Sequence, residues 1–423
     1  MVYREELPYD EGLDNTLSFL SEGYLYITNR RKRFNRDMFK TRLLGGKQVV
    51  CMAGKEAAEV FYDNDKFKRQ GAAPGRVLKT LLGQEGVQTL DGEAHEHRKT
   101  MFMDFMTKDS LQEIADLVEE AWMKALPKWE KQGSVILYEE VKRILTIAIC
   151  HWTGVPLNDQ DIDTFSEQLG SLYESAEKVG MKHFKGKHAR KELEKWLEQL
   201  IGDIRAGESD VEEHTPFYQI AMHHDMDGVL LRKNTAAVEV LNLLRPTVAI
   251  SVYVALSGLA LHDFPHQKDK LKASDETFYK MFVQEIRRYY PFFPVAPAVV
   301  KKNFLWGGHD FKKGMLVLLD LYGNNHHSDL WENPNEFAPE RFQEWDKSPF
   351  DLVPQGGGDY VTGHRCAGEW LTIVVMQKCI DIMVNKMDYK VPEQELDMSM
   401  KQMPSIPKSG FILHNVQQMQ TKE

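Results

Sequence analysis

The sequence predicts a mainly α-helical protein with small β-sheets, and three observations carry that prediction. Segments 110–129, 189–207 and 234–244 place apolar residues three and four apart, the period of a helix with one buried face. Strand-like runs are few and lie toward the two ends: "KQVVCMAG" (47–54) alternates and ends at a glycine, and "GMLVLLDLYG" (314–323) is an apolar run bounded by glycines. No internal repeat and no Pro/Gly/Ser linker divides the 423 residues, so a single domain over 1–423 is the expected organisation.

Along the chain, "MVYREELPYDEG" carries charges of both signs and lacks the apolar core of a signal peptide. The strand at 47–54 follows, then the segment "LLGQEGVQTLDGEAHEHRK" (81–99). The helices at 110–129 and 189–207 come next, the second with Gly207 as its stop signal. The helix at 234–244 runs into "LLRPTVAI", where an arginine and a proline interrupt an apolar stretch. Thr247 to Leu261 is the longest apolar run, but serines, a tyrosine and a glycine punctuate it and Arg245 adjoins it, so it reads as a core helix and not a membrane span. The last third changes texture, with turn chemistry in "WENPNEFAPERF" (331–342) and a glycine run in "PQGGGDYVTGHRCAGE" (354–369). Gly356 to Gly358 do not make a phosphate loop, because no Lys-Ser/Thr follows them.

Composition narrows the classes of function. Hydrophobic residues at 42% and charged residues at 27% fit an ordinary folded protein. A net charge of −10 argues against a nucleic-acid partner. The four cysteines, Cys51, Cys150, Cys366 and Cys379, form no C-x-x-C pair and no disulfide framework, which points to a reducing cytoplasm.

Cys366 lies in "TGHRCAGEW", flanked by Gly363 and Gly368 and preceded by His364 and Arg365. A thiolate is a soft, strongly donating metal ligand, and nearby cations and backbone N–H groups favour its ionised form, which suits an axial ligand to haem iron. The competing reading is a buried free cysteine beside a turn, and context decides. In "QEIRR" (284–288), Glu285 and Arg288 stand three apart and share a helix face. Such a pair alone is common on surfaces and contributes little. It gains meaning upstream of the cysteine loop and ahead of Arg341 in "PERF".

Together these motifs resemble the cytochrome P-450 family, from the amino-terminal strands to the end of the chain. The resemblance implies the cytochrome P-450 fold, with haem b between a long distal helix and a proximal cysteine loop. It implies Cys366 as the axial iron ligand and Glu285, Arg288 and Arg341 as the group that holds the haem-binding core together. The usual loop has Phe and Gly seven and four residues before the cysteine, where this chain has Asp359 and Thr362. That departure resembles one bacterial branch, the fatty-acid peroxygenases and the related alkene-forming decarboxylases, which use hydrogen peroxide in place of electrons from a reductase.

Within that resemblance Arg245 and Pro246 stand where ordinary members carry an acid and an alcohol that relay protons. Proline removes one backbone N–H and frees the carbonyl of Asn242, which should kink or widen the helix there and open the distal face. A buried Arg245 needs an anion, and its planar fork matches a carboxylate. The expected anion is the fatty-acid head group, and the rival is a protein carboxylate in a structural salt bridge. A carboxylate so held takes a proton from peroxide and returns it to the outer oxygen, with Cα and Cβ placed nearest the reaction. Arg245, Pro246 and Gln88 thus form the expected catalytic set. The best-known decarboxylating type has histidine where this chain has Gln88. A neutral amide cannot donate a proton as imidazolium does, so hydroxylation at the α or β carbon is expected over loss of carbon dioxide.

By the same resemblance Leu82, which replaces an aromatic residue, lines the substrate pocket with Gln88, and Phe292 and Val295 from "YYPFFPVAP" serve the acyl channel. Arg69, His95, Arg98 and Lys99 are expected donors to the haem propionates. The pairs His223-His224 and His326-His327 lack the spacing of a two-histidine metal site and are expected in solvated loops. The predicted reaction is peroxide-dependent hydroxylation of long-chain fatty acids without a required redox partner. Its rivals are alkene formation, a monooxygenase driven by a redox partner, and a non-catalytic haem sensor or carrier.

Overall fold

The computed structural model describes residues 6–175 and 181–419. Eight helices carry the site: α1 (Gly92–Asp104), α2 (Lys108–Gln132), α3 (Leu137–Thr153), α4 (Met181–Ala206), α5 (Lys233–Val248), α6 (Ile250–Asp263), α7 (Glu276–Tyr289) and α8 (Glu369–Asp381). The three helices read from periodicity are present as α2, α4 and α5. As expected, Gly207 follows the end of α4 with φ +72°, a conformation that favours glycine.

A five-stranded sheet gathers β1 (Met38–Leu43), β2 (Lys47–Met52), β3 (Phe67–Lys68), β4 (Val295–Val300) and β5 (Leu316–Asp320) in the order β1-β2-β5-β4-β3. Both strands anticipated from sequence meet here, β2 and β5 running parallel with Cys51 beside Leu318. Alternation sorts the side chains of β2: Val49 and Cys51 pack with Tyr26 and Phe39, while Val50 and Met52 pack with Phe61 and Val317. A three-stranded sheet (Ser134–Ile136, Met387–Lys390, Ile412–Gln418) closes against α2 and α3.

The largest core cluster surrounds α5 and α6, which α2, α3, α7 and α8 help to enclose. Among the described residues, Lys233–Asp263 is the one helical stretch long and apolar enough to cross a membrane. It is 94% buried within the protein over its most apolar window, so its hydropathy is that of a core helix. The expected distortion is present but displaced. Pro246 lies inside α5, and the helix breaks at Ala249, whose N–H reaches the Arg245 carbonyl (3.0 Å) while its carbonyl accepts from Val252 N–H three residues on (3.1 Å). The tighter turn thus falls three residues past the proline, while the helix continues unbroken through Pro246 itself.

Candidate active site

The cysteine loop is held from both sides. The Cys366 N–H donates to the Gln355 carbonyl (3.1 Å), and the Gln355 amide donates to Thr372 Oγ1 (3.0 Å) with the Cys366 sulfur 3.9 Å away. Gln355 is itself fixed by Arg287, which donates to its Oε1 (3.2 Å) and ion-pairs with Glu369 at 2.5 Å. Arg365 grips the same Glu369 carboxylate at 2.5 and 3.1 Å. Burial pushes the Cys366 thiol above its ordinary value and Glu369 adds to the rise, while the Gly368 N–H, Lys99 and Arg287 pull it down. The cations and backbone N–H expected to favour the thiolate are present and pull in that direction, but burial outweighs them. A metal cation at the sulfur would supply the missing charge, because coordination deprotonates a thiol outright.

Beneath the loop, Glu285 and Arg288 form a bidentate pair at 2.7 and 2.8 Å with both side chains fully buried. Arg341 joins at 3.3 Å, and Glu285 also accepts the Ala338 N–H at 2.8 Å. Arg288 donates further to the carbonyls of Asn325, Pro334 and Glu336. The pair therefore ties α7 to the 325–338 loops.

The four expected propionate donors separate. His95, buried on α1, stacks on His364 with centroids 4.0 Å apart, and burial pushes it down to about 3. Arg69 is half-buried and its side chain donates to the Phe61 carbonyl (3.2 Å); among the described residues no carboxylate lies at ion-pair distance from it. Burial lowers it to about 10. Lys99 instead donates to the carbonyls of Gly363 and Arg365, clamping the cysteine loop to α1. Arg98 is the clear correction. Its guanidinium binds Glu239 (2.8 Å) and Asp225 (2.9 Å), two carboxylates that occupy it fully although it stands only one turn from His95 on α1.

On the distal side, Arg245 is 6% exposed on α5. It donates to the Leu81 carbonyl, its Nη2 stands 3.5 Å from Asn242 Oδ1, and its Nε has no partner. No protein carboxylate pairs with it among the described residues, which removes the salt-bridge reading. Burial pushes the guanidinium down to about 9 and Arg190 adds to that, while Cys366 pulls the other way. Gln88 sits in the 3-10 turn Val87–Thr89 with its Oε1 buried and unpartnered. Leu82 ends a π-helical turn, Leu78–Leu82, and packs on the main core.

The two expected channel residues are divided. Phe292 stacks on Tyr253 of α6 (4.3 Å, 18°) within the main core, whereas Val295 begins β4 and packs against the Tyr26–Phe39 cluster. His224 is exposed as expected, but the other three histidines are less solvated: His327 is buried and 3.0 Å from Asp37, His326 lies tilted against Tyr322 at 4.2 Å, and His223 lies tilted against His97 at 5.0 Å. His327 Nδ1 accepts the Asp329 N–H, so both ring nitrogens are engaged and the nearby acids do not make a free ligand set.

Sequence reasoning missed three residues that support the site. Arg190 on α4 donates to the carbonyls of Thr80 (2.9 Å) and Leu81 (3.1 Å), so Leu81 serves two arginines. Glu239 and Asn242 precede Arg245 at successive intervals of three on one face of α5, a polar stripe in an apolar helix that the sequence displays.

Arg69 and Lys99, which among the described residues pair with carbonyls and no carboxylate, and on α5 and the 3-10 turn an Arg245 Nε–H and a Gln88 Oε1 left without partners, fit an anionic metal cofactor and an acidic ligand. The cytochrome P-450 family model matches residues 266–416. The chain is similar to cytochrome P450EX alpha with myristic acid: 45% identity, TM-score 0.95, covering 98% of this chain and all of that one. It is also similar to cytochrome P450SP alpha in complex with (R)-ibuprofen (42%, TM-score 0.94, 96% and 99% covered). A structure of a variant of the cytochrome OleT in complex with arachidonic acid is 38% identical (TM-score 0.95, 99% and 100% covered).

Proposed function

Because the chain belongs to the cytochrome P-450 family, whose members carry a haem thiolate, we propose that it is a peroxygenase that hydroxylates long-chain fatty acids at the α or β carbon. The observation that carries the reading is Arg245, a buried guanidinium with no protein carboxylate and a free Nε–H. An uncompensated buried charge is costly, so the site is built for an anion that arrives with the substrate. The similar structures with myristic, arachidonic and ibuprofen ligands all hold carboxylic acids, which supports that anion.

In this reading Cys366 would hold haem b through its sulfur, and Arg69 and His95 would meet its propionates. The haem supplies oxidising power from hydrogen peroxide. Arg245 binds the fatty-acid carboxylate and fixes it where it can take and return a peroxide proton, and Pro246 keeps the helix open above the head group. Gln88 offers a neutral hydrogen bond near the carboxylate and no acidic proton, which favours hydroxylation over loss of carbon dioxide. Packing of the acyl chain by Leu82 and Phe292 excludes water.

The test is product analysis after adding hydrogen peroxide and myristic acid to the haem-loaded protein without a reductase. Hydroxymyristic acid with the hydroxyl at C2 or C3 is the expected product. Predominant terminal alkene defeats the hydroxylase assignment. Turnover that appears only with a ferredoxin or flavodoxin system defeats the peroxygenase assignment.

A further inference from the structure

Glu239 is fully buried in α5, and its carboxylate accepts three hydrogen bonds that lead in different directions. Oε1 takes the Arg98 guanidinium (2.8 Å) and the Val87 N–H (2.9 Å), and Oε2 takes the Asn242 amide (2.8 Å). Val87 precedes Gln88 in the same 3-10 turn, and Asn242 presents its Oδ1 to Arg245 Nη2. We propose that Glu239 is a positioning residue for substrate-carboxylate recognition, orienting Gln88 through the Val87 N–H and Arg245 through the Asn242 amide. The proposal rests on the carboxylate-binding role of Arg245 given above.

The orientation argument is one of donors and acceptors. Asn242 has one NH2 and one oxygen, and giving the NH2 to Glu239 turns the oxygen toward the guanidinium. Without an acceptor at Oε2 the amide is free to flip, which sets two donors against each other at Arg245. A simple counterion role for Arg98 leaves this arrangement unexplained, since Asp225 already pairs with that arginine at 2.9 Å. Burial raises the Glu239 pKa against the pull of Arg98, Asn242 and the Val87 N–H; all three neighbours nonetheless present donors to it, which casts both of its oxygens as acceptors. Glu239 never touches substrate. The Asn242 side chain separates its charge from Arg245, leaving the guanidinium free for an external anion.

Glu239→Gln keeps the shape of the side chain and replaces one acceptor by a donor. Binding of decanoic acid and of decanol to the haem-loaded protein is measured by spectral titration, in the wild-type and Arg245→Leu backgrounds. Glu239→Gln is expected to weaken decanoic acid about tenfold, leave decanol within about twofold, and have no further effect in the Arg245→Leu background. Equal weakening of acid and alcohol, or an equal effect in both backgrounds, overturns the proposal. Asn242→Ala leaves the Arg98 and Val87 bonds in place and guards against a folding failure of the first variant. It is expected to show the same acid-selective loss, and an unchanged acid affinity overturns the proposal. If Arg245→Leu alone leaves acid binding intact, the carboxylate-binding role falls and this inference with it; if only the Glu239 and Asn242 variants are silent, this inference falls alone.

Discussion

Replacing Arg245 by leucine should separate binding from stability. The arginine holds one strong contact to the Leu81 carbonyl and a long one to Asn242, has an orphan Nε–H, and keeps a positive charge in the core near Arg190. Leucine forfeits those contacts but removes a desolvated charge that no carboxylate compensates, so the exchange should be neutral or stabilising. The substrate loses a buried, charge-assisted anchor worth about 3–5 kcal/mol, which is about two hundred to five thousandfold in affinity or turnover. Thermal melts of the substrate-free protein, spectral titration with a fatty acid, and peroxide-dependent turnover measure both sides. The expected outcome is an unchanged or higher melting temperature with binding and turnover nearly abolished. Near-normal turnover refutes the carboxylate-anchor argument, and a melting temperature that falls in step with binding shows that Arg245 is a structural cation.

Three further outcomes follow from the geometry. Glu285→Gln leaves Arg288 buried opposite a neutral partner and should cost about 3–5 kcal/mol, seen as a large drop in melting temperature and poor haem retention. Gln88→His puts a protonatable group beside the head-group site and should raise the terminal-alkene fraction in product analysis. His326 is held at about 4 by burial and Arg288, whereas an unfolded histidine takes its proton near about 6.5. The unfolded chain therefore binds more protons between those values, and stability falls as pH drops from about 6.5 to 4, by at most about 1.4 kcal/mol per unit. Denaturant titrations across that window should show a shallower slope in His326→Gln.

Periodicity made α2, α4 and α5 legible, and glycine-bounded apolar runs did the same for β2 and β5, because a buried face writes itself into residue spacing. The Glu285–Arg288–Arg341 cluster was legible through a motif and is assembled as anticipated. The fate of the cations on α1 was not. His95, Arg98 and Lys99 sit within five residues, and only the helix phase and the presence of Glu239 across the core decide that Arg98 turns away while Lys99 clamps the loop. Arg190 was overlooked for a related reason: with Glu194 four residues on (2.6 Å) it reads as an ordinary helix-surface pair, and its other partners are carbonyls more than a hundred residues away that leave no trace in sequence. The break at Ala249 was misplaced because sequence locates a proline but not the turn where the helix breaks.

The Leu81 carbonyl receives Arg245 from below and Arg190 from the side, so the two lone pairs of one oxygen are both engaged. That makes the short π-helical turn a keystone between α4 and α5. Reshaping the pocket for bulkier acids by exchanging residues 78–82 alone would meet resistance from two anchored flanks. An engineer who wants a wider mouth has to release Arg190 first, and in doing so will also loosen Arg245, which shares the same oxygen.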